Sequence, residues 1–242
     1  MKLSVVIPAF DEEARLPRTL EEATAWLDDR LEQGDLFDDY EIIVVDDGSR
    51  DRTAEVVEQL AGARSRLRLL RQPGNRGKGA AVRRGMIEAN GDIRLFMDAD
   101  HSTHIRELER GWPLLQQGAG VVIGSRQHAE SEIARHQSWL RESMGKCFNA
   151  MMRGMTGIPL QDTQCGFKMF TAEAAALLFP QQRIDGFSFD VELIYLAQRA
   201  GIEVAEIPVR WVNEPHSRVR MLIDPLHMAA DVVRIRLMHN KK

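Results

Sequence analysis

The stretch that decides how this chain folds is Leu95-Phe96-Met97-Asp98-Ala99-Asp100, in which an apolar run ends in two carboxylates one residue apart. In a parallel α/β sheet such a run is typical of a buried strand, and ligands bind beyond the carboxyl ends of the strands. Two carboxylates at that position can hold one divalent cation, which in turn can hold a diphosphate. Because acidic residues are common at turns, the neighbouring segments decide whether this interpretation holds.

The composition is that of an ordinary globular protein. The chain has 242 residues, of which 44% are hydrophobic and 28% charged, enough for one sizeable core. The net charge of −4 argues against general nucleic-acid binding, so we expect no nucleic-acid partner. Cys147 and Cys165 provide neither a disulfide framework nor a metal-ligand spacing, which fits a reducing cytosol. No apolar run approaches the length of about 18 residues that a transmembrane helix needs, and the N-terminus is typical of a first strand rather than a signal peptide.

Short apolar runs alternate with helix-like segments through the first half of the chain. This alternation predicts an α/β fold with a mostly parallel central sheet and helices on both faces. The carboxyl ends of parallel strands meet at one edge, so the residues that follow each strand are candidates for one shared site. The expected strands are Leu3–Ile7, Tyr40–Val45, Leu67–Leu70, Ile93–Met97 and Gly120–Gly124.

Acidic residues follow the first two expected strands. Glu12 and Glu13 could line a nucleotide pocket or could simply supply negative charge at a helix N-terminus. Asp46 and Asp47 could accept hydrogen bonds from a base or a ribose, or could cap the following turn. We expect one of the two to cap the turn.

A glycine-rich segment, Pro73 to Ala81, follows the third expected strand and opens a helix. Its glycines, with Arg76 and Lys78, form an anion-receptive corner, although neither a Walker A sequence nor a dinucleotide fingerprint is present. A phosphate-facing role is favoured over the alternative, a loop rich in glycine for close packing. Arg126 follows the fifth strand, where it could bind a phosphate or be an ordinary surface arginine.

The second half of the chain has a different pattern. Helical apolar stripes are expected between Arg135 and Met155 and within the basic segment Ser217–Lys242. The second stripe consists of Leu222, Leu226, Ala229, Val233 and Leu237. The first helix could pack into the core or lie in a membrane interface, and the second could lie on an anionic membrane surface or be a solvated basic tail. Between them we expect helices from Thr171 and after Gly186 and a strand pair within Glu203–Trp211, with Asp190 and Glu192 as first-turn acids or an acidic site near an acceptor.

Several of these segments, in this order, resemble family 2 glycosyltransferases of the GT-A fold. They are Val6–Glu13, Val44–Asp51, Asn75–Gly79, Asp98–Asp100 and Gly124–Arg126. Within the family, Asp162–Lys168 and Phe189–Glu192 are similar to the dolichyl-phosphate glucosyltransferase branch rather than to its sister, the mannose synthase branch. Two features differ from that branch: the N-terminal transmembrane anchor usual in its eukaryotic members is not seen, and His101–His104 replaces a Gly-Ala-Thr-like stretch.

The resemblance implies metal-dependent, inverting transfer of a hexose from a nucleotide-diphosphate sugar to a polyprenyl phosphate. UDP-glucose is the favoured donor, and the alternative is GDP-mannose, another donor or a non-lipid acceptor. It implies Mg²⁺ or Mn²⁺ as cofactor, bound by Asp98 and Asp100. It also implies a cytoplasmic protein that is peripheral on the inner face of the membrane.

The resemblance further assigns roles to individual residues within one GT-A domain over residues 1–242. Residues 1–126 would form the nucleotide-sugar half, 127–216 the acceptor side and 217–242 a basic amphipathic helix. Nucleotide binding would fall to Pro8, Ala9, Phe10, Glu12, Asp46, Asp47, Lys78, Asp98 and Ala99. Catalytic roles would fall to Asp98, Asp100, Arg126, Asp162 and Asp190, with Arg126 meeting the acceptor phosphate and Gln164 and Glu192 helping to shape the sugar and acceptor side.

Overall fold

A seven-stranded sheet forms the centre of the computed structural model, which describes residues 1–135, 160–212 and 224–239 together with Gly154 and Gly157. The strands of the described chain are β1 Lys2–Ala9, β2 Asp39–Asp46, β3 Leu67–Arg71, β4 Ile93–Met97, β5 Val121–Ser125, β6 Glu132–Arg135, β7 Phe167–Thr171, β8 Val204–Pro208 and β9 Arg210–Val212. The sheet has the order β3-β2-β1-β4-β7-β5-β8, and only β7 runs antiparallel to its neighbours. Strands β6 and β9 pair separately.

Helices cover both faces of this sheet, which confirms the predicted fold class. They are α1 Leu16–Gln33, α2 Thr53–Gly62, α3 Lys78–Glu88, α4 Leu108–Gln116, α5 Ala172–Leu178, α6 Phe189–Arg199 and α7 Asp224–His239. Side chains alternate across β1, so Val5 packs on the side of α1, α2 and α4, whereas Val6 packs on the side of α3, α5, α6 and α7. Because β1, β2, β4 and β5 all run in the same direction, their carboxyl ends lie at one edge of the sheet.

Strand β7 is the strand of the central sheet that was not predicted from the sequence. The sequence predicted a helix from Thr171 and no strand before it, but Phe167–Thr171 pairs with β4 on one side and β5 on the other. The run contains Lys168, which is fully buried, and a lysine in so short a run conceals a central strand. Lys168 can be buried there because it forms an ion pair with Asp190.

The predicted helix Arg135–Met155 needs a correction at its start. Arg135 is the last residue of strand β6, because the short run before it pairs with β9. Apart from Gly154, the rest of the predicted helix lies outside the described residues. The two strands predicted within Glu203–Trp211 are present as β8 and β9, which pair with β5 and β6 rather than with each other, and β9 extends to Val212.

Helix α7 has two apolar stripes rather than the single one predicted. Met228, Val232 and Ile235 are buried, whereas Val233 and Leu237, from the predicted stripe, are 48% and 70% exposed. The apolar residues recur on two sides of this helix, so periodicity alone could not tell which side packs inward. No helix of the described segments is long and apolar enough to cross a bilayer.

Candidate active site

The loops after β1 and β2 are joined side by side at the carboxyl edge of the sheet. The amide of Asp11 donates to Ser49 Oγ at 2.9 Å, and the amide of Arg50 donates back to Asp11 Oδ1 at 2.7 Å. The amide of Glu12 donates to Thr53 Oγ1 at 2.7 Å. These bonds hold the segment Pro8–Glu12 beside the loop that carries Asp46 and Asp47, which is where a pocket formed by both loops would lie.

Asp46 and Asp47 both bind the protein's own main chain. Asp46 Oδ1 accepts from the amide of Ser49 at 3.0 Å, which is the turn-capping role expected of one of the pair. The Asp47 carboxylate accepts from Gln72 Nε2 at 2.7 Å and from the amides of Arg76 and Gly77 at 2.9 and 2.8 Å. Burial outweighs these donors and raises the pKa of Asp47. Asp47 therefore ties the glycine-rich loop to the edge of the sheet.

Close packing explains two glycines of that loop. A Cβ on Gly77 would lie 2.4 Å from Asp185 O, and one on Gly79 would lie 2.7 Å from Ile184 O. Gly77 also has φ +109°, a backbone conformation that side chains disfavour. The packing alternative thus accounts for the glycines, and only Lys78, the first residue of α3, directs a charge from this segment toward Asp98.

Lys78 and two acids form the polar centre of the edge. Lys78 Nζ lies 2.6 Å from Asp98 Oδ1, and Asp100 Oδ1 accepts from the amide and hydroxyl of Ser102 at 3.0 and 2.6 Å. Burial lowers the pKa of Lys78, but Asp98, Asp190 and Asp100 more than reverse this, so the ammonium stays charged. Burial, with the charge of Asp98 beside it, raises the pKa of Asp100.

This centre fits a hard divalent cation. Asp98 and Asp100 offer only oxygen donors, which Mg²⁺ and Mn²⁺ prefer. Lys78 already contacts Asp98, yet burial and the charge of Asp98 still raise the pKa of Asp100. A divalent cation held by the two carboxylates would favour the charged form of Asp100.

Gly166 fixes the position of the Asp98 carboxylate. Asp98 N donates to Gly166 O at 3.1 Å, and a Cβ on Gly166 would lie 2.0 Å from Asp98 Oδ2. A side chain at this position must therefore move the carboxylate. Gly166 was noted in the sequence only as part of a family-like segment, because nothing local shows that it touches Asp98.

We expect Gly166→Ala to lower the transferase activity that the family resemblance implies by about 10- to 100-fold, since displacing a site group by about 1 Å costs on that order. The apparent affinity for Mn²⁺ should fall as well. Initial rates over a Mn²⁺ titration measure both effects. Gly62→Ala is the matched control, because a Cβ there meets nothing within 4 Å. A Gly166→Ala rate within twofold of wild type would contradict the placement of Asp98.

Asp190, predicted to be catalytic, forms a buried ion pair. Its Oδ1 lies 2.6 Å from Lys168 Nζ, which also donates to Cys165 O at 2.6 Å. Both side chains are buried, and burial raises the pKa of Asp190 despite the nearby lysines. Asp190 therefore belongs to the charged cluster around Lys78 as the ion-pair partner of Lys168, and its catalytic role stays a prediction. Nothing in the sequence indicated that Lys168 would be the ion-pair partner of Asp190.

Asp162, also predicted to be catalytic, is fully buried against Arg126. The guanidinium forms a two-point contact, with Nε and Nη2 at 2.6 and 2.9 Å from the carboxylate oxygens, and the Arg126 amide donates at 3.0 Å. Burial raises the pKa of Asp162, but Arg126 more than reverses this and the pKa is lowered. Arg126 is partly exposed, and its Cζ lies 5.7 Å from the centroid of the Trp211 ring. Asp162 thus fixes the orientation of Arg126, whose charge also interacts with that of Asp98.

Glu192 organises main chain rather than a ligand surface. Its buried carboxylate accepts from the amides of Arg183 and Ile184 and lies 2.7 Å from His239 Nε2 on α7. Glu192 therefore holds in place the segment with Ile184 and Asp185, which packs on Gly77 and Gly79. Gln164 also faces α7, with Nε2 3.9 Å from Met228 Sδ.

Comparison with known proteins identifies the family. The sequence profile of glycosyl transferase family 2 matches residues 4–179, well over half of the chain, and the chain belongs to this family. It is 38% identical to a dolichyl-phosphate beta-glucosyltransferase of Dictyostelium discoideum, a match that covers 97% of this chain and 73% of that protein. It is 36% identical to the Homo sapiens protein of the same name, over 98% of this chain and 75% of that one. The predicted family is confirmed, and the chain is a glycosyltransferase.

Solved structures confirm the GT-A fold. Glucosyl-3-phosphoglycerate synthase of Mycobacterium tuberculosis in complex with UDP is similar with a TM-score of 0.66 and 24% identity, over 100% of this chain and 81% of that one. The same enzyme in complex with Mn²⁺, UDP and glucosyl-3-phosphoglycerate gives a TM-score of 0.65 and 25% identity, over 98% of this chain and 78% of that one.

Proposed function

We propose that this enzyme transfers glucose from UDP-glucose to a polyprenyl phosphate, with inversion, and uses Mg²⁺ or Mn²⁺. The observation that carries the proposal is the cluster of Asp98, Asp100 and Lys78 at the edge where a nucleotide sugar would bind. The names of relatives that match almost the whole chain support the sugar and the acceptor. The Mn²⁺ and UDP of the similar solved structure support the cation and the nucleotide.

Donor binding would use the acidic pair and the lysine together. Asp98 and Asp100 would hold the cation, which when bound neutralises charge on the leaving diphosphate. Lys78 is protonated and lies on Asp98, so a small side-chain movement brings its ammonium to a phosphate oxygen. The loops at Pro8–Glu12 and Asp46–Asp47 would hold the nucleoside, as predicted from the sequence.

The acceptor side fits a reaction that needs no strong general base. An acceptor phosphate is anionic at neutral pH, so its oxygen can attack the anomeric carbon directly while the bond to the diphosphate breaks on the opposite face. Asp162 and Asp190 are both buried and each is paired with a cation, so the proposed mechanism uses neither as a base. Arg126, held in place by Asp162, supplies a planar cation for the acceptor phosphate. Catalysis then rests on positioning and charge stabilisation.

A donor comparison tests the proposal. Radiolabelled UDP-glucose and GDP-mannose are offered in turn to a short polyprenyl phosphate, with Mn²⁺ and with EDTA. We expect label to enter the organic phase from UDP-glucose alone and to stop doing so with EDTA. Transfer from GDP-mannose alone would contradict the donor, and transfer that continues in EDTA would contradict the cation.

Helix α7 gives a reason for the enzyme to work at a membrane surface. Its inner stripe packs on the core, while Val233 and Leu237 point outward between the exposed Arg234 and Arg236. An apolar stripe flanked by arginines suits an anionic bilayer surface. Residues 217–242 would then be a membrane-contacting segment, residues 1–126 the donor half and 127–216 the acceptor half. Attachment to the inner, cytoplasmic face remains a prediction.

We expect Leu237→Glu to reduce binding to anionic vesicles by about tenfold, since a leucine leaving an apolar environment loses roughly 1.5 kcal/mol or more. Vesicle flotation measures this effect. Leu177→Glu is the matched control, because Leu177 is an exposed apolar residue on α5 rather than on α7. Equal flotation of wild type and Leu237→Glu would contradict the role of α7.

A further inference from the structure

Three potential metal ligands meet beside the active site, between helix α1 and the loop after β4. His101 Nε2 lies 2.7 Å from Glu22 Oε2, and His104 Nε2 lies 3.7 Å from the same oxygen. The three ligand atoms all lie within 4.8 Å of one another. Both histidines are turned toward Glu22.

The backbone is held in an unusual conformation to present His101. Its φ is +60°, and among the described non-glycine residues only Asp11 shares a positive φ. A side chain in this region is strained, and such strain is often retained at functional sites. The loop is fixed to α1 by Thr19 Oγ1, which donates to Ala99 O at 2.7 Å. His101 Nδ1 is buried and has no hydrogen-bond partner.

We propose that Glu22, His101 and His104 bind a divalent transition-metal ion such as Zn²⁺, at a site separate from Asp98 and Asp100. Two imidazoles and one carboxylate form a nitrogen-rich set, which suits Zn²⁺, Ni²⁺ or Co²⁺ better than Mg²⁺. Tetrahedral coordination places ligand atoms about 3.3 Å apart, and the separations of 2.7 and 3.7 Å lie on either side of that value.

The surroundings allow an ion to enter. The side chains of Glu22, His101 and His104 are 34%, 21% and 22% exposed, so water can reach the centre and complete the coordination. Glu22 accepts from Arg18 Nε through its other oxygen, Oε1, which leaves Oε2 directed at the two rings. His101 directly follows Asp100, so an ion on His101 would also restrain the loop that carries Asp100.

Binding would shift a proton within His104. Its Nδ1 now accepts from the amide of Arg106 at 3.0 Å, so the neutral ring carries its proton on Nε2. When Nε2 binds the ion, that proton moves to Nδ1, so the Arg106 amide and the Arg106 Nε, which donates to the same atom at 3.3 Å, both lose their acceptor. The site is therefore coupled to the start of the short helix at residues 105–107.

Thermal unfolding of the full chain with and without ZnCl₂, in the absence of nucleotide, tests the proposal. We expect a rise in Tm of about 3–6 °C at ten times the Kd. His101→Gly and His104→Asn should each abolish it. Glycine relieves the positive φ, and asparagine can still cap the Arg106 amide, so both variants are chosen to keep the fold. A Tm close to that of the wild type in the absence of zinc confirms that both variants keep the fold.

Matched variants locate the ion. Asp98→Ala and Asp100→Ala should keep the zinc response, because they remove only the oxygen site. His128→Asn should also keep it, since His128 is a half-buried histidine whose Nδ1 likewise accepts from an amide two residues on. The proposal would be overturned if zinc did not raise the Tm of the wild type, or if it still raised the Tm of both His101→Gly and His104→Asn. It would also be overturned if only Asp98→Ala lost the rise.

Discussion

Replacing Asp98 by alanine should lower the rate of sugar transfer by about 10²-fold or more, which corresponds to about 3 kcal/mol of barrier. The Asp98 carboxylate lies 2.6 Å from the Lys78 ammonium and has Gly166 packed against it, so no other described side chain can take its position. Its loss removes one of the two proposed cation ligands and releases Lys78 at the same time. The kcat at saturating Mn²⁺ and UDP-glucose measures the effect, and Asp98→Asn, which keeps the shape, should lose nearly as much.

The control for this experiment is Asp29→Ala, which removes an exposed acid of α1 and should leave the rate within twofold. Asp100→Ala should resemble Asp98→Ala. Activity of either site variant within a few-fold of wild type would contradict the assignment of the acidic pair to the cation.

Replacing Lys168 by methionine should lower the free energy of unfolding by about 3–5 kcal/mol, the usual cost of leaving one charge of a buried ion pair without its partner. Lys168 and Asp190 are both buried, with 2.6 Å between Nζ and Oδ1. Urea denaturation measures the loss. Lys2→Met is the control, because Lys2 pairs with Asp39 at the surface, 3.6 Å away, where such pairs contribute little.

The double variant Lys168→Met/Asp190→Leu separates structure from chemistry. Removing both charges should restore most of the lost stability, since no unpaired charge remains buried. If Asp190 only supports the site, the double variant should transfer sugar within about tenfold of wild type. A stable but inactive double variant would restore the catalytic role that the sequence suggested for Asp190. A Lys168→Met protein as stable as wild type would show that the ion pair is not buried as described.

The sequence predicted the parallel strands and the edge where they meet because both depend on local pattern. Apolar runs such as Ile93–Met97 end in polar residues, and parallel strands bring those ends together whatever their order. The position of β7 between β4 and β5 could not be predicted in this way. It depends on pairing between residues distant in the chain, and its buried Lys168 masks the apolar run.

The sequence identified most of the site's charged residues but not their partners. Asp162 and Asp190 have the residue type of a catalytic acid, and only the fold shows that each is paired, with Arg126 and Lys168. The two interpretations of the glycine-rich loop could not be separated, because Gly77 and Gly79 meet a segment about 100 residues further along the chain. Helix α7 shows the same limit, since both of its apolar stripes satisfy the helical period.

The most direct test of the proposed function is a competition between acceptors. Radiolabelled UDP-glucose and Mn²⁺ are supplied with equal concentrations of a short polyprenyl phosphate and 3-phosphoglycerate, and the label is followed into organic and aqueous products. We predict that the label enters the organic phase as glucosyl polyprenyl phosphate, and that Asp98→Ala abolishes its appearance there. Label found only in an aqueous glucosyl product would contradict the lipid-phosphate acceptor.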